Sequence, residues 1–340
     1  MHASQILDMQ VDFVSRMQDD PRFRKYVYGC HDATATTMDA DGVSVYAPKP
    51  VPSGYSAFVG QRLAKALETV VHAAYAYRVT EDMCSLVEWA ASQLDGSDRF
   101  SLDMVPTGCG IVRFDKPLPL KDVRGRTMLI HWAMWGPIGA AGVDTFGRQV
   151  PTLGMWFWND LDAPDEVATI DFARHGREET LALCGRWGFV GSEVAVAGQK
   201  VGTQMTDISE ETAARILAEG DIPSEFTNPL RYMMALWMLL DQTITDVSEE
   251  HVRNGSRKQA IRKGIPGRVS VVQLRRIAGA RSAGESLVEW SHRWIVRGHW
   301  KWQPCGEGRK SRVRIWINPY VKGPEDKPLV QTEKVYSLQR

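Results

Sequence analysis

The residues best suited to chemistry lie near the carboxy terminus, between Glu289 and Gln303. If this segment is a β-strand, its side chains alternate between two faces, and His299 shares a face with Arg297 and Lys301. A histidine exchanges protons near neutral pH, and a guanidinium stabilises charge on a phosphate. His299 and Arg297 are therefore candidate catalytic residues for phosphodiester cleavage without a metal. The alternative is that they only contact an anionic ligand.

The alternation in this predicted strand separates tryptophans from basic side chains. One face collects Trp290, Trp294, Val296, Trp300 and Trp302, and the other collects Arg293, Arg297, His299 and Lys301. A turn rich in Pro and Gly leads to a second predicted strand, Ser311 to Ile317. There the apolar face holds Val313, Ile315 and Ile317, and the other face holds Arg312, Arg314 and Trp316.

A hairpin of these two strands is expected to place both apolar faces over one core, because a slip of one residue would expose the tryptophans. The basic faces would then coincide, which is unfavourable unless an anionic partner covers them. The predicted contact residues for RNA or another anionic target are Arg293, Arg297, His299, Lys301, Arg312, Arg314 and Trp316. Trp316 is the predicted stacking platform for a base. A β-bulge at Gly298 would exchange the faces beyond it.

The formal net charge of zero conceals a strong asymmetry. Residues 251–340 hold 20 Lys and Arg against 6 Asp and Glu, while residues 1–250 hold 21 against 35. Such a division is typical of a basic segment that binds nucleic acid, or of one that docks on the protein's own acidic body. We predict an acidic α+β body over 1–250, a basic linker or loop over 251–268, and a basic, Trp- and Arg-rich β region over 269–340.

The remaining chain has the pattern of an α+β protein. Apolar periodicity predicts helices over Ser4–Met17, Ser56–Tyr77, Thr80–Leu94 and Asn228–Asp246, the second and third as an antiparallel pair. Short runs of β-forming residues predict buried strands over Ile111–Phe114, Met128–Trp135 and Leu153–Trp158. The expected fold is a set of amino-terminal helices on a mixed or antiparallel sheet, with a basic carboxy-terminal hairpin.

Several protein classes are excluded or disfavoured by what the chain contains. No apolar run reaches the roughly 20 residues that span a bilayer, and the amino terminus lacks the pattern of a secretion signal. Five scattered cysteines without a CxxC pair are typical of reduced thiols in a cytoplasmic protein. No metal-ligand spacing, Walker A loop or GxGxxG is present. We expect neither a metal nor a cofactor, and a cytoplasmic location.

The carboxy-terminal residues also resemble a known family. The run Arg297, Gly298, His299, Trp300 with Trp302 and Gln303, then Arg312 to Arg314 and Pro319 to Val321, is similar to the signature of a phage anti-CRISPR family directed at the type V-A effector nuclease. It is similar as well to homologues of unknown function carried by phages and plasmids of actinobacteria. The resemblance implies a protein that recognises the emerging effector polypeptide and causes loss of its mRNA during translation.

The two lines of reasoning predict one function. We expect a phage-type anti-defence protein that binds RNA or a ribosome-associated nascent defence protein and lowers expression of the effector. One alternative is a metal-independent ribonuclease with His299 as acid and base and Arg297 or Arg314 on the phosphate. The other is a non-enzymatic assembly protein whose basic tail docks on its acidic body.

Overall fold

A computed structural model of the chain describes residues 2–31, 37–38, 44–45, 55–94, 98–121, 127–138, 142–143, 149–150, 152–163, 177–198, 229–275, 294–296, 298–317 and 320–322. The described residues form two compact units. The larger unit, called the main body, comprises residues 1–241 and 245–274, and the smaller unit comprises residues 242–244 and 275–340.

Helices and strands alternate along the chain. The helices are α1 Ala3–Asp19, α2 Pro21–His31, α3 Tyr55–Ala73, α4 Glu81–Ser92, α5 Arg177–Cys184, α6 Pro229–Leu240 and α7 Asn254–Arg262. The strands are β1 Thr37–Met38, β2 Ser44–Val45, β3 Tyr75–Val79, β4 Gly110–Lys121, β5 Thr127–Pro137, β6 Gly142–Val143, β7 Gln149–Val150, β8 Thr152–Asp160, β9 Trp187–Val196, β10 Thr245–Glu250, β11 Val269–Leu274, β12 Trp294–Val296, β13 His299–Cys305, β14 Ser311–Ile317 and β15 Tyr320–Lys322.

The main body is built on a seven-stranded mixed sheet with the order β10-β11-β3-β4-β5-β8-β9. Strand β3 runs parallel to both of its neighbours, and the other pairs are antiparallel. The predicted α+β class, with amino-terminal helices on a mixed sheet, is confirmed. No described helix is long and apolar enough to cross a membrane.

Helices α1, α2 and α3 cover one face of this sheet. Phe13 of α1 meets Trp158 of β8 edge to face, with ring centroids 5.1 Å apart. Phe13 also contacts Trp187 of β9 at 5.0 Å, and the indole nitrogen of Trp187 donates a hydrogen bond to Asp12. The buried apolar stripe of α1 and the tryptophans of the central strands therefore form one core. The predicted first helix is confirmed.

Helices α4 and α6 cover the opposite face. Trp237 of α6 contacts Trp135 of β5 at 5.7 Å, and Trp135 in turn stacks on Tyr77 of β3. The predicted antiparallel pairing of α3 with α4 is wrong, because β3 lies between them in the chain and the helices pack on opposite faces. The predicted helix over 56–77 therefore ends at Ala73, where the chain enters the sheet.

The other predicted elements of the main body differ mainly in length. The three predicted strands are present as β4, β5 and β8. Helix α6 begins at Pro229 as expected, but it ends at Leu240, and the chain then forms β10. The segment predicted as a basic linker over 251–268 contains α7, which contacts α1. The following strand, β11, pairs inside the main sheet.

Asp160 and Glu193 are the most deeply buried of the carboxylates that the structure describes in the main body. Asp160, 2% exposed, accepts hydrogen bonds from the Arg186 guanidinium at 2.8 to 3.1 Å and lies 3.6 Å from Arg113. Burial lowers the pKa of Arg113, and the charge of Asp160 opposes this. Glu193 of β9, also 2% exposed, has no hydrogen-bond partner for its carboxyl oxygens among the described residues. Burial raises its pKa to about 8.

Candidate nucleic-acid interface

The predicted carboxy-terminal hairpin exists as β13 and β14, which pair antiparallel in the smaller unit. Their register places Trp300 opposite Trp316 and Trp302 opposite Arg314. The intervening turn, residues 306–310, is fully exposed. Gly306, Gly308 and Arg309 of this turn have positive φ angles of 76°, 64° and 57°. These left-handed residues reverse the chain over five positions and so set which residues face each other.

The predicted register of the hairpin is wrong. Side chains directly opposite each other lie on the same face, so the tryptophans of β13 share a face with the arginines of β14. We call this the tryptophan–arginine face: Trp300, Trp302, Pro304, Arg312, Arg314 and Trp316. The other is called the lysine face: His299, Lys301, Gln303, Val313, Ile315 and Ile317. The basic residues of the two strands therefore do not form one cluster.

The inner end of the tryptophan–arginine face is a small core. Trp316 is 7% exposed and meets Trp300 at 5.1 Å with an interplanar angle of 73°. The backbone N–H of Trp316 donates to the side-chain oxygen of Gln242 at 3.1 Å, so it points away from β13. Trp300 and Trp316 are therefore a non-hydrogen-bonded pair of the two strands. In a pair of this kind the side chains approach closely, which favours the edge-to-face contact. Trp316, the predicted stacking platform, is thus part of this core.

The outer end of the same face carries an exposed indole. Trp302 is 52% exposed, although the alternation in the sequence predicted it to be buried. The guanidinium carbon of Arg314 lies 5.3 Å from the Trp302 ring centroid, which is a cation–π geometry. Arg312 is exposed and lies opposite Pro304, diagonal to Trp302. Sequence reasoning missed Trp302 because face assignment within one strand does not reveal how deeply each end is buried.

The hairpin carries a strong positive charge. Residues 298–317 contain five Lys and Arg and one carboxylate, Glu307. Lys301, Arg309, Lys310 and Arg312 are all exposed, and none of the four forms an ion pair with a carboxylate of the described residues. Exposed cations without internal carboxylate partners attract anions by long-range electrostatics.

The structure does not bring the predicted site residues together on one face of the hairpin. Arg293 and Arg297 lie outside the described residues. His299 and Lys301 are exposed on the lysine face, whereas Arg314 lies on the tryptophan–arginine face. A ribonuclease that uses His299 with Arg314 needs both groups on one phosphate, so the observed register places them on the wrong sides of the hairpin for that pairing.

The main body offers a different kind of surface. A pocket of about 610 Å³ is lined by polar residues of α1 and of the loops beside β9, including Asp8, Asp12, Arg16, Asp162 and Arg186. Its arginines lie within 4 Å of the chain's own carboxylates, so the pocket does not present uncompensated positive charge to an anion. Among the residues that the structure describes, no group of three or more His, Cys, Asp or Glu is arranged to hold a metal ion.

Comparison with known proteins decides the family. Residues 77–323 match the family described as AcrVA2-like, the anti-CRISPR type V subtype A2 family. The chain belongs to this family. The predicted resemblance is therefore confirmed, and the match includes both strands of the hairpin. Membership identifies the chain as an anti-CRISPR protein, which opposes a bacterial defence system.

The chain is also similar to solved structures, among them that of AcrVA2. The crystal structure of AcrVA2 aligns with 94% of this chain and 99% of its own at 15% identity and a TM-score of 0.36. No curated protein matches the chain.

Proposed function

We propose that this anti-CRISPR protein acts in the host cytoplasm by binding an RNA-associated target through its hairpin, and so lowers expression of a defence effector. The observation that carries the proposal is the group of exposed cations at Lys301, Arg309, Lys310 and Arg312, which have no carboxylate partner in the described chain. Phosphates of RNA are the abundant intracellular polyanion that matches such a surface. The emerging effector polypeptide is the second part of the proposed target, because family resemblance favours it.

The hairpin supports binding more strongly than cleavage. Its two faces separate His299 from Arg314. A binding role needs only exposed charge and an accessible aromatic ring, and both are present. We therefore favour binding over the ribonuclease alternative.

The proposal predicts how strongly the affinity for RNA depends on salt concentration. If each of the four exposed cations contacts one phosphate, the slope of log affinity against log salt for single-stranded RNA is about −2.8, from about −0.7 per contact. Affinity then falls about 50-fold between about 50 and 200 mM salt. Fluorescence anisotropy with the full chain and a labelled oligonucleotide measures this slope. An affinity that does not change with salt would contradict the proposal.

A matched pair of variants tests the location of the contact. The hairpin variant carries Lys301→Gln, Lys310→Gln and Arg312→Gln, which should reduce the slope by about 2. The control variant carries Arg257→Gln, Lys258→Gln and Arg262→Gln. These remove three exposed cations from α7 of the main body, and the slope should stay that of the wild type. Loss of binding in the α7 variant with retention in the hairpin variant would place the contact elsewhere.

The cellular consequence is measured in the same variants. The wild type and the α7 variant are expected to lower the amount of effector mRNA in host cells, and the hairpin variant is not. Equal suppression by all three proteins would show that the hairpin charge is dispensable for anti-CRISPR action. Purified protein that binds the effector polypeptide but no RNA would contradict the proposed binding of RNA by the hairpin.

A further inference from the structure

We propose that Trp302 is a stacking platform for an unpaired base of single-stranded RNA, with Arg312 contacting a neighbouring phosphate. This inference rests on the proposed function, because it names how the hairpin would hold RNA. It goes beyond a general electrostatic attraction, since charge alone would require no aromatic ring.

The first support is the exposure of the Trp302 indole, in a chain that buries most of its described tryptophans. Trp302 is 52% exposed, while Trp316 on the same face is 7% exposed and packs with Trp300. In the main body, Trp132, Trp135, Trp156, Trp158, Trp187 and Trp237 are all fully buried. A large aromatic side chain left open beside cations is typical of a binding site rather than of a folding core.

The second support is the geometry around the ring. Arg314, directly across the strand pair, places its guanidinium carbon 5.3 Å from the ring centroid of Trp302. This contact holds the indole in one orientation and adds positive charge against one side of the ring. A base that stacks on the other side completes a layered arrangement of guanidinium, indole and base.

The third support is the charge that surrounds the indole. Arg312 lies diagonal to Trp302 on the same face, and Arg309 and Lys310 lie in the adjoining turn. A nucleotide stacked on Trp302 would therefore have cations available for its phosphates. Base faces are accessible in single strands and hidden in duplexes, so the arrangement favours single-stranded over double-stranded RNA.

The backbone conformation of Arg309, in the turn between β13 and β14, is a further observation that supports the inference. Arg309 has a φ of 57°, and it is the one residue other than glycine with positive φ among those the structure describes. A side chain in this conformation is unfavourable, and such residues persist where the surrounding structure or a function requires them. Here the conformation belongs to the turn that brings Arg309 and Lys310 next to the outer end of the tryptophan–arginine face.

The test compares two tryptophan variants of the full chain by anisotropy with a labelled single-stranded RNA. Trp302→Ala should weaken binding about 5- to 150-fold, the range expected for loss of one stacked base. It should leave the salt slope unchanged, because no phosphate contact is lost. Trp302→Phe should retain most of the affinity. Trp89→Ala, which removes an indole that is 36% exposed on α4 of the main body, is the matched control and should bind as the wild type does.

A second oligonucleotide separates stacking from a general effect of the substitution. An RNA of the same length whose bases have been removed keeps its phosphates but offers nothing to stack. The wild type should bind it more weakly than normal RNA, and Trp302→Ala should cause no further loss. Circular dichroism of each variant confirms that the fold is retained, and Trp302→Leu provides a second non-aromatic replacement if the alanine variant unfolds.

The outcomes distinguish this inference from the function on which it rests. RNA binding with the expected salt slope and no change in Trp302→Ala or Trp302→Leu would overturn stacking and leave the proposed function intact. Preferential binding of duplex RNA would also overturn stacking. Absence of RNA binding by the wild type would overturn both.

Discussion

Replacing Glu193 by Gln should make the protein more stable at pH 8 while leaving its stability near pH 5 almost unchanged. Glu193 lies on β9, is 2% exposed, and has no hydrogen-bond partner for its carboxyl oxygens among the described residues. Burial raises its pKa to about 8, and the nearby backbone N–H of Leu230 lowers it by less. The carboxyl is therefore neutral in the folded protein at neutral pH, and glutamine has the same shape as its neutral form.

The sign follows from the protons bound in each state. An unfolded glutamate ionises with a pKa of about 4.3, so between this value and about 8 the folded state binds more protons than the unfolded state. Stability contributed by this group is present at low pH and is lost as pH rises through this window. The slope is about 1.4 kcal/mol per pH unit, or about 4 kcal/mol between pH 5 and 8. The glutamine variant lacks this loss.

Thermal melts at pH 5, 6, 7 and 8 measure the effect. One kcal/mol corresponds to about 2 °C in a domain of this size, so Glu193→Gln should exceed the wild type by about 8 °C at pH 8 and match it near pH 5. Glu249→Gln, which removes an exposed carboxylate from β10, is the control and should follow the wild type throughout. A constant difference between Glu193→Gln and the wild type across this range would refute the reasoning.

Two further substitutions test the packing of the main body. Asp160→Asn should destabilise the protein by about 3 to 5 kcal/mol, because it leaves the charges of Arg113 and Arg186 without their buried partner. Asp162→Asn, at an exposed neighbour, should cost far less, and equal effects in urea unfolding would contradict this role. Gly110→Ala should lower the melting temperature by several degrees, because its new Cβ would overlap a buried indole of β5, whereas an unchanged melting temperature would show that the sheet can adjust.

Sequence patterns were sufficient to predict the type of an element where that type follows from the element's own residues. The apolar stripe of α1 and the β-forming runs of β4, β5 and β8 predicted the correct element types, because each is long or strongly periodic. Pro229 marked the first turn of α6 for a local reason, since its missing N–H costs nothing there. These features need no knowledge of distant parts of the chain.

Elements whose identity depends on distant partners were missed. Tyr75–Val79 continues the apolar pattern of α3, and only its place between β4 and β11 makes it a strand. The hairpin shows the same limit more sharply. Alternation assigned each side chain to a face of its own strand, but the five-residue turn with its positive φ angles fixed how the two strands pair. The exposed Trp302 could not be recognised without that register.

The most direct test of the central claim is to locate RNA on the protein inside the host cell. Ultraviolet cross-linking of the 340-residue anti-CRISPR chain, followed by mass spectrometry of the cross-linked peptides, gives this location. Our account predicts RNA adducts on peptides from residues 299–317, with fewer in the Lys301, Lys310 and Arg312 glutamine variant. Adducts confined to residues 1–241, or suppression of the effector with no adducts at all, would contradict it.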